Sequence, residues 1–537
     1  MGRANPTGRA SRKDAATVVH ARNGGEGTSL LAKNDTGASC ISRSQRLALL
    51  ACVLFLAIFF RAYKLTVVPP GLHLDEAVNG GNALHALHTG DWRFFYPENG
   101  GREGLFINAQ AIAVKFTGIH EPWVLRSVSA VFGSLTVVGI YLLGAELLGA
   151  EAALLGAFLA ATGYWHVNFS RTGFRAITAP FWLTWAIFLL LKGFRRLSER
   201  VGGSTTSLIF VVGGLCYGLG FHSYIAYRIS PLLIAVPLLF FARKAWAEGW
   251  FHEFVKQTGT YTAVATAAAV PLLLYFYQHP DSFAGRMNAL SVFAISKDHP
   301  WREIAINTYR VAGMFLAHGD NNWRHNYAGQ PELFPTVALL FVIGCGAAVA
   351  GFWGILRRDR PKSHEWFLFV WLVLGLLPMI ISDEGIPHAL RSLIATPAVY
   401  LLAAAGGIQA FRYLRNWIPM TWATALALLW LLPVPIYTYW AYFVMWPENK
   451  QTLEDFNARA TDLAYQVKAA MGVPGPPIYI VVRWDAVQVD GIPRTAQPIM
   501  FITDTSEPSR REQGRVFYIT VGEEDKIPAG ARVFRSQ

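Results

Sequence analysis

The chain has 537 residues, of which 53% are apolar and 15% charged, with a formal net charge of +12. Charge in soluble proteins runs near roughly 25%, so this balance excludes intrinsic disorder over most of the length. It also excludes a soluble nucleic-acid binder, because the 47 Lys and Arg are not gathered on a polar domain. The four cysteines, Cys40, Cys52, Cys216 and Cys345, lie far apart, three of them inside apolar runs, and suggest neither a disulfide framework nor a thiolate metal site.

Residues 1–44 are polar and basic and read as a disordered tail. Beyond them apolar stretches recur that approach the about 20 residues a helix needs to cross the hydrocarbon core. Eleven are expected, at about 47–65, 123–148, 151–167, 178–193, 206–224, 229–242, 260–277, 334–356, 365–382, 393–411 and 419–443. The first has an uninterrupted apolar core of only 14 residues, Leu47 to Phe60. That length also suits the h-region of a secretory signal, but no small-x-small cleavage site follows, and Arg61 and Lys64 are placed to snorkel at a helix end, so a membrane anchor is the preferred reading.

Orientation follows from the short loops. With a cytoplasmic N-terminus, inside loops hold 13 basic residues: Lys192, Arg195, Arg196, Arg200, Arg243, Lys244, Lys256, Arg357, Arg358, Arg360, Lys362, Arg412 and Arg415. The short outside loops hold 4, Arg171, Arg175, Arg228 and Arg391. This positive-inside bias puts residues 66–122 and 278–333 outside as large loops. An odd number of spans puts 446–537 outside as well. The transmembrane domain is expected over 45–445 and a small soluble α/β domain over 446–537, with a helix-like start (Leu453 to Met471) and strand-like runs at Pro477 to Val482, Arg515 to Thr520 and Ala531 to Phe534. In the first outside loop, Glu76 to Leu87 and Leu105 to Phe116 carry apolar residues at helical spacing, which suits amphipathic helices lying along the interface. No internal repeat marks a transporter.

Chemistry-bearing residues concentrate in the outside loops. Asp75 and Glu76 follow directly after the first span. A carboxylate at a low-dielectric boundary suits a general base that deprotonates an acceptor hydroxyl, whereas the same Asp75 could equally cap the helix that follows. The run Phe95-Tyr96-Pro97-Glu98-Asn99-Gly100-Gly101-Arg102-Glu103-Gly104 reads either as a tight charged turn or as a ligand loop. In the second case glycines admit a close backbone approach and Arg102 grips a phosphate. Arg171 and Arg175 with His166 in one loop, and His388 and Arg391 in another, are basic residues where topology disfavours them, so they either hold an anionic headgroup or snorkel. The run His318 to Asn326, with Asn322, Trp323, Arg324 and His325, has the makeup of a sugar or headgroup site, or of a loop capped by its own Asn and Asp side chains. The spacing of His318 and His325 fits no standard metal pattern.

Together these residues resemble the bacterial relatives of the dolichyl-phosphate-mannose protein mannosyltransferases, the GT-C group that includes the aminoarabinose transferases. The resemblance covers about residues 47–415. It rests on Asp75-Glu76, on Tyr96-Pro97-Glu98-Asn99 with Arg102-Glu103-Gly104-Leu105-Phe106, on Arg126-Ser127-Val128-Ser129-Ala130, on Ser170-Arg171, and on Gly385-Ile386-Pro387-His388-Ala389-Leu390-Arg391. It implies an all-α polytopic fold of GT-C type and an inverting sugar transfer from a polyprenyl-phosphate donor to a glycan, lipid or protein acceptor on the outer side of the cell membrane. Asp75 would be the base and Glu76 would position it or the acceptor. Arg102, Arg171, Arg175, His388 and Arg391 would bind the donor phosphate, and Glu98, Asn99, Glu103, Asn322, Trp323, Arg324 and His325 the sugar or acceptor. After Ser170-Arg171 many relatives have an acidic residue where this chain has Thr172-Gly173-Phe174-Arg175, so a divalent cation is possible but not favoured. Membrane lipids are expected partners and nucleic acid is not. The rival classes are a lipid or solute transporter, which would show repeats and midplane charges, and a non-catalytic membrane scaffold.

Overall fold

The computed structural model describes residues 42–356 and 364–536. The basic tail up to residue 41, and Arg357, Arg358, Arg360 and Lys362 of the expected inside loops, lie outside the described residues. Each of the eleven expected spans coincides with a helix. Eight are long and apolar enough to cross a bilayer: Arg43–Ala62, Pro122–Leu147, Arg175–Ser198, Ile225–Ala247, Phe251–Gln278, Pro335–Gly354, Leu393–Leu414 and Met420–Met445. Ala150–Thr162, Ser204–Gly220 and Glu365–Ile380 are equally apolar but shorter. The first of these stops where Tyr400 crowds the backbone of Gly163, and the chain resumes as Tyr164–Phe169.

Leu393–Leu414 and Arg175–Ser198 are buried along most of their length and form the middle of the bundle, whereas Met420–Met445 is almost wholly uncovered. The bundle closes tightly at Gly344 and Gly406. A Cβ added at Gly344 would stand 1.9 Å from the Leu402 carbonyl oxygen, and one at Gly406 2.0 Å from that of Leu340. Between apolar helices in lipid, small residues replace hydrophobic driving force with backbone proximity.

The first outside loop folds as two helices, Leu74–Thr89 and Gly104–Thr117, where the apolar spacing placed them. Ile112 and Phe116 on the second stay exposed, as an interfacial helix requires. The first is covered instead. Leu72, Ala77 and Leu84 share one apolar core with Val124 and Leu125 and with Val467, Ile480, Ile499 and Phe501 of the C-terminal region. Gly71 makes this docking possible: its φ is +75°, and a Cβ there would lie 2.5 Å from the Phe456 carbonyl oxygen. The C-terminal region carries the helix Ala458–Met471 and a three-stranded parallel sheet, with Ile478–Val482 between Val516–Thr520 and Arg532–Arg535. It is thus fused to the first loop rather than tethered beside it.

Candidate active site

The site is organised by a buried ion pair. Arg126, one turn into its span, donates through Nε to Glu76 Oε1 (2.9 Å) and through Nη2 to Glu76 Oε2 (2.8 Å). The same guanidinium binds the carbonyls of Pro69 (2.7 Å) and Gly71 (2.6 Å). Glu76 also accepts the Gly173 N–H at 2.5 Å and the His73 N–H at 3.1 Å. One Glu–Arg pair therefore fixes the end of the first span, the start of the helix Leu74–Thr89 and the 170–175 loop. Glu76 is fully buried and its oxygens are engaged, so it does not reach a ligand.

The N-cap of Leu74–Thr89 is His73, whose Nδ1 accepts the Asp75 N–H at 3.1 Å. Asp75, the residue read as a possible cap, is released from that role. Its side chain remains 28% exposed and faces a cavity of about 1080 Å³. Asn99 Nδ2 donates to Asp75 Oδ1 at 2.7 Å, and Arg102 Nη2 lies 3.1 Å from the same oxygen. Burial raises the affinity of Asp75 for a proton, but Arg102, then His73 and Asn99, outweigh it and hold the carboxyl far below the usual range. Burial also pushes the His73 imidazole down to about 4, so this ring is neutral. With Nδ1 accepting from Asp75, its hydrogen sits on Nε2. Arg324 Nη1 lies 3.1 Å from the Nε2 of the same ring. Arg324 is held through Nε on Asn322 Oδ1 (3.0 Å) and lines the cavity.

The opposite wall comes from two later loops. Asp320 accepts from His325 Nδ1 (2.9 Å), from the Asn322 N–H (2.8 Å) and from the Ala389 N–H (2.8 Å). This ties the 318–326 run to the loop carrying His388 and Arg391, and Arg391 in turn binds Ser382 and Glu384. Trp323, His325, His388 and Arg391 all line the cavity.

Of the residues singled out in the sequence, the fold brings Asp75, Asn99, Arg102, Asn322, Trp323, Arg324, His325, His388 and Arg391 together around this one cavity. Five others expected in the site lie elsewhere. Glu76 is sealed against Arg126. Arg171 is fully buried, donating to the carbonyls of Phe60 (3.1 Å) and Val68 (2.9 Å) beneath the rings of Tyr442 and Phe443. Arg175 and Glu103 bind each other at 2.6 Å under cover. Glu98 pairs with Arg93 (3.2 Å) at a separate small cleft. The arginines at 171 and 175 are buried, held by protein acceptors and absent from the cavity wall, and so act as structural ties.

The C-terminal region supplies residues that no motif announced. Arg494 donates through Nη1 to Asn99 Oδ1 at 3.2 Å and pairs with Asp485 (3.2 Å), and it lines the cavity with Asn457 and Asp455. A relay thus runs from Asp485 through Arg494 and Asn99 to Asp75. Loss of one such indirect hydrogen bond is worth about 1 kcal/mol. We expect Arg494→Ala to lower turnover about fivefold with unchanged thermal stability, read by initial rates beside an unfolding curve.

Residues 108–275 match the family described as dolichyl-phosphate-mannose-protein mannosyltransferase. No curated protein sequence gives a significant match. Among solved structures, the oligosaccharyltransferase of Archaeoglobus fulgidus in complex with zinc and sulfate superposes with a TM-score of 0.53 at 15% identity, covering 88% of this chain. The present chain spans 62% of that protein's length. ArnT from Cupriavidus metallidurans bound to undecaprenyl phosphate superposes with a TM-score of 0.51 at 15% identity, covering 91% of this chain and 92% of the other. The chain thus shares the fold of these two membrane proteins over most of its length, and the stretch 108–275 within it matches the mannosyltransferase family.

Proposed function

We propose that this protein transfers a sugar, with inversion, from a polyprenyl-phosphate donor to an acceptor hydroxyl on the extracytoplasmic face of the cell membrane. The observation that carries the reading is the single cavity in which the Asp75 carboxylate faces Arg102, Arg324 and Arg391. Undecaprenyl phosphate bound to the ArnT structure of the same fold supports the donor class. The distribution of basic residues between the short loops supports the orientation. The fold separates the two carboxylates found adjacent in sequence, which supports Asp75 as the base and Glu76 as a positioning residue.

In this reaction Asp75 takes the acceptor's hydroxyl proton as the acceptor oxygen bonds to the anomeric carbon. The bond from that carbon to the phosphate oxygen breaks on the opposite face, and polyprenyl phosphate leaves. A lipid phosphate is a good leaving group, so orientation and neutralisation of its charge supply most of the acceleration. The Asp75–Arg102 pair couples the two substrates. A donor phosphate competes for the Arg102 guanidinium, and as Arg102 turns to it the carboxylate loses the partner that most strongly suppresses its basicity.

The sign of the pH effect follows. The base works ionised, and Arg102 keeps it ionised to low pH. In Arg102→Met burial prevails in the free enzyme, the carboxyl titrates higher, and the acid limb of kcat/KM against pH moves upward, with KM for the donor raised. An acid limb that stays in place would remove Asp75 from the titrating role.

The direct test uses the protein in lipid nanodiscs with a panel of polyprenyl-phosphate sugars. We expect release of polyprenyl phosphate and a product of inverted anomeric configuration for one donor. Mass spectrometry of envelope glycans from cells lacking the gene identifies that sugar as the one missing. Movement of donor across the bilayer without any bond cleavage would overturn the assignment in favour of transport.

A further inference from the structure

One cluster in the cavity wall is chemically distinct from the carboxylate and arginines used above. Asp320, His325 and His388 come from two loops more than 60 positions apart, yet each presents a ligand atom within 4.8 Å of the others. His325 Nδ1 stands 2.9 Å from Asp320 Oδ2, and His388 Nδ1 stands 3.9 Å from the same oxygen. Ligand atoms about 2.0–2.2 Å from a tetrahedral ion are roughly 3.4 Å apart. The observed separations straddle that value.

The surroundings have the form of a supported site. The Asn322 and Ala389 N–H groups, each at 2.8 Å, fix the Asp320 carboxylate. His325 is buried, its ring centroid 5.7 Å from that of Phe169 and 4.7 Å from that of His388. Metal ligands held by second-shell hydrogen bonds and packing keep their geometry without the ion. His325 and His388 both line the cavity, so protein closes one side of the cluster while the other opens to solvent and ligand.

We propose that Asp320, His325 and His388 form a divalent-metal site of zinc type whose remaining position opens into the cavity. Two imidazoles and one carboxylate suit Zn²⁺ and its first-row neighbours rather than Mg²⁺ or Ca²⁺. The ion takes the place of the hydrogen shared between His325 Nδ1 and Asp320 Oδ2, with the ring's hydrogen on Nε2. Its open position accepts an oxygen, from water or from a phosphate. That last role rests on the function proposed above, whereas the metal site itself does not.

The test is therefore binding, not turnover. Tag-free full-length protein in detergent, stripped with chelator, is titrated with Zn²⁺ by calorimetry and with Co²⁺ by visible absorption. We expect one ion per chain and d–d bands of a four- or five-coordinate Co²⁺. His388→Gln and His325→Gln should each weaken binding at least tenfold, and Asp75→Asn should leave it unchanged. Because His388 is part-exposed, its variant should keep the wild-type unfolding temperature, which separates lost ligation from lost fold. No stoichiometric uptake, or uptake indifferent to His388→Gln, overturns the site and leaves Asp320–His325 as a structural hydrogen bond. Zinc bound through these residues in a protein inactive with every donor would retain the metal site and remove the transferase function.

Discussion

Asp75→Asn will cut sugar transfer by roughly 10²–10⁴-fold, the usual contribution of a positioned general base, while the protein folds and binds donor as before. The two halves of this expectation have separate grounds. Asparagine keeps an oxygen for the Asn99 amide and for Arg102, so the wall of the cavity is preserved, but it cannot accept the acceptor's proton. On the structural side, the helix Leu74–Thr89 is capped by His73, so the substitution removes only the favourable charge of Asp75 at a helix N-terminus, worth about 0.3–1 kcal/mol. Had Asp75 been the cap, lost activity could have been a fraying helix. Initial rates with the productive donor, donor affinity and an unfolding curve on the same preparation distinguish the outcomes. Near wild-type turnover in this variant would exclude Asp75 as base. A lowered unfolding temperature in step with lost turnover would assign it a structural role.

The architecture was legible because it is written in runs. Apolar stretches of bilayer length and two amphipathic periods in the first loop matched the long apolar helices among the described residues and both loop helices, needing only local pattern. The site was legible where its residues cluster in sequence, as in Phe95 to Gly104 and His318 to Asn326. Sequence reading failed on direction and on partners. Arg102 and Arg171 look alike in a list of outside arginines, yet one lines the cavity and the other is buried against the Phe60 and Val68 carbonyls. Which holds depends on backbone acceptors that only folding brings near. The same limit hid Arg494, a single basic residue without a motif around it. It also hid the meeting of Asp320 with His388, which lie in separate loops more than 60 positions apart.

Arg126→Met is the substitution expected to harm the fold most. It leaves the Glu76 carboxylate buried at 0% exposure without its cation and strips the Pro69 and Gly71 carbonyls of their donor. Breaking a buried pair from one side costs about 3–5 kcal/mol, much of it the penalty of the stranded charge. That origin gives a sharper test than the loss itself. Glu76→Gln alone should destabilise, because a neutral amide serves Arg126 less well. In the Arg126→Met background the same change should stabilise, because it removes the stranded charge while an amide oxygen still accepts from the Gly173 N–H. A double-mutant cycle measured by denaturant unfolding in detergent reads this reversal of sign directly. The pH dependence adds an independent check. Burial raises the Glu76 carboxyl, but Arg126 and the Gly173 N–H more than compensate and hold it below its ordinary value of about 4.3. A group depressed in the folded state stabilises fully above its unfolded pKa, and that stabilisation fades as pH falls toward the folded value. The wild type should therefore lose stability on acidification below about pH 4. Arg126→Met, whose Glu76 titrates upward, should gain relative to wild type as that stranded carboxylate takes a proton. Parallel acid profiles for the two proteins would mean that Glu76 is not the group that the arginine holds in place.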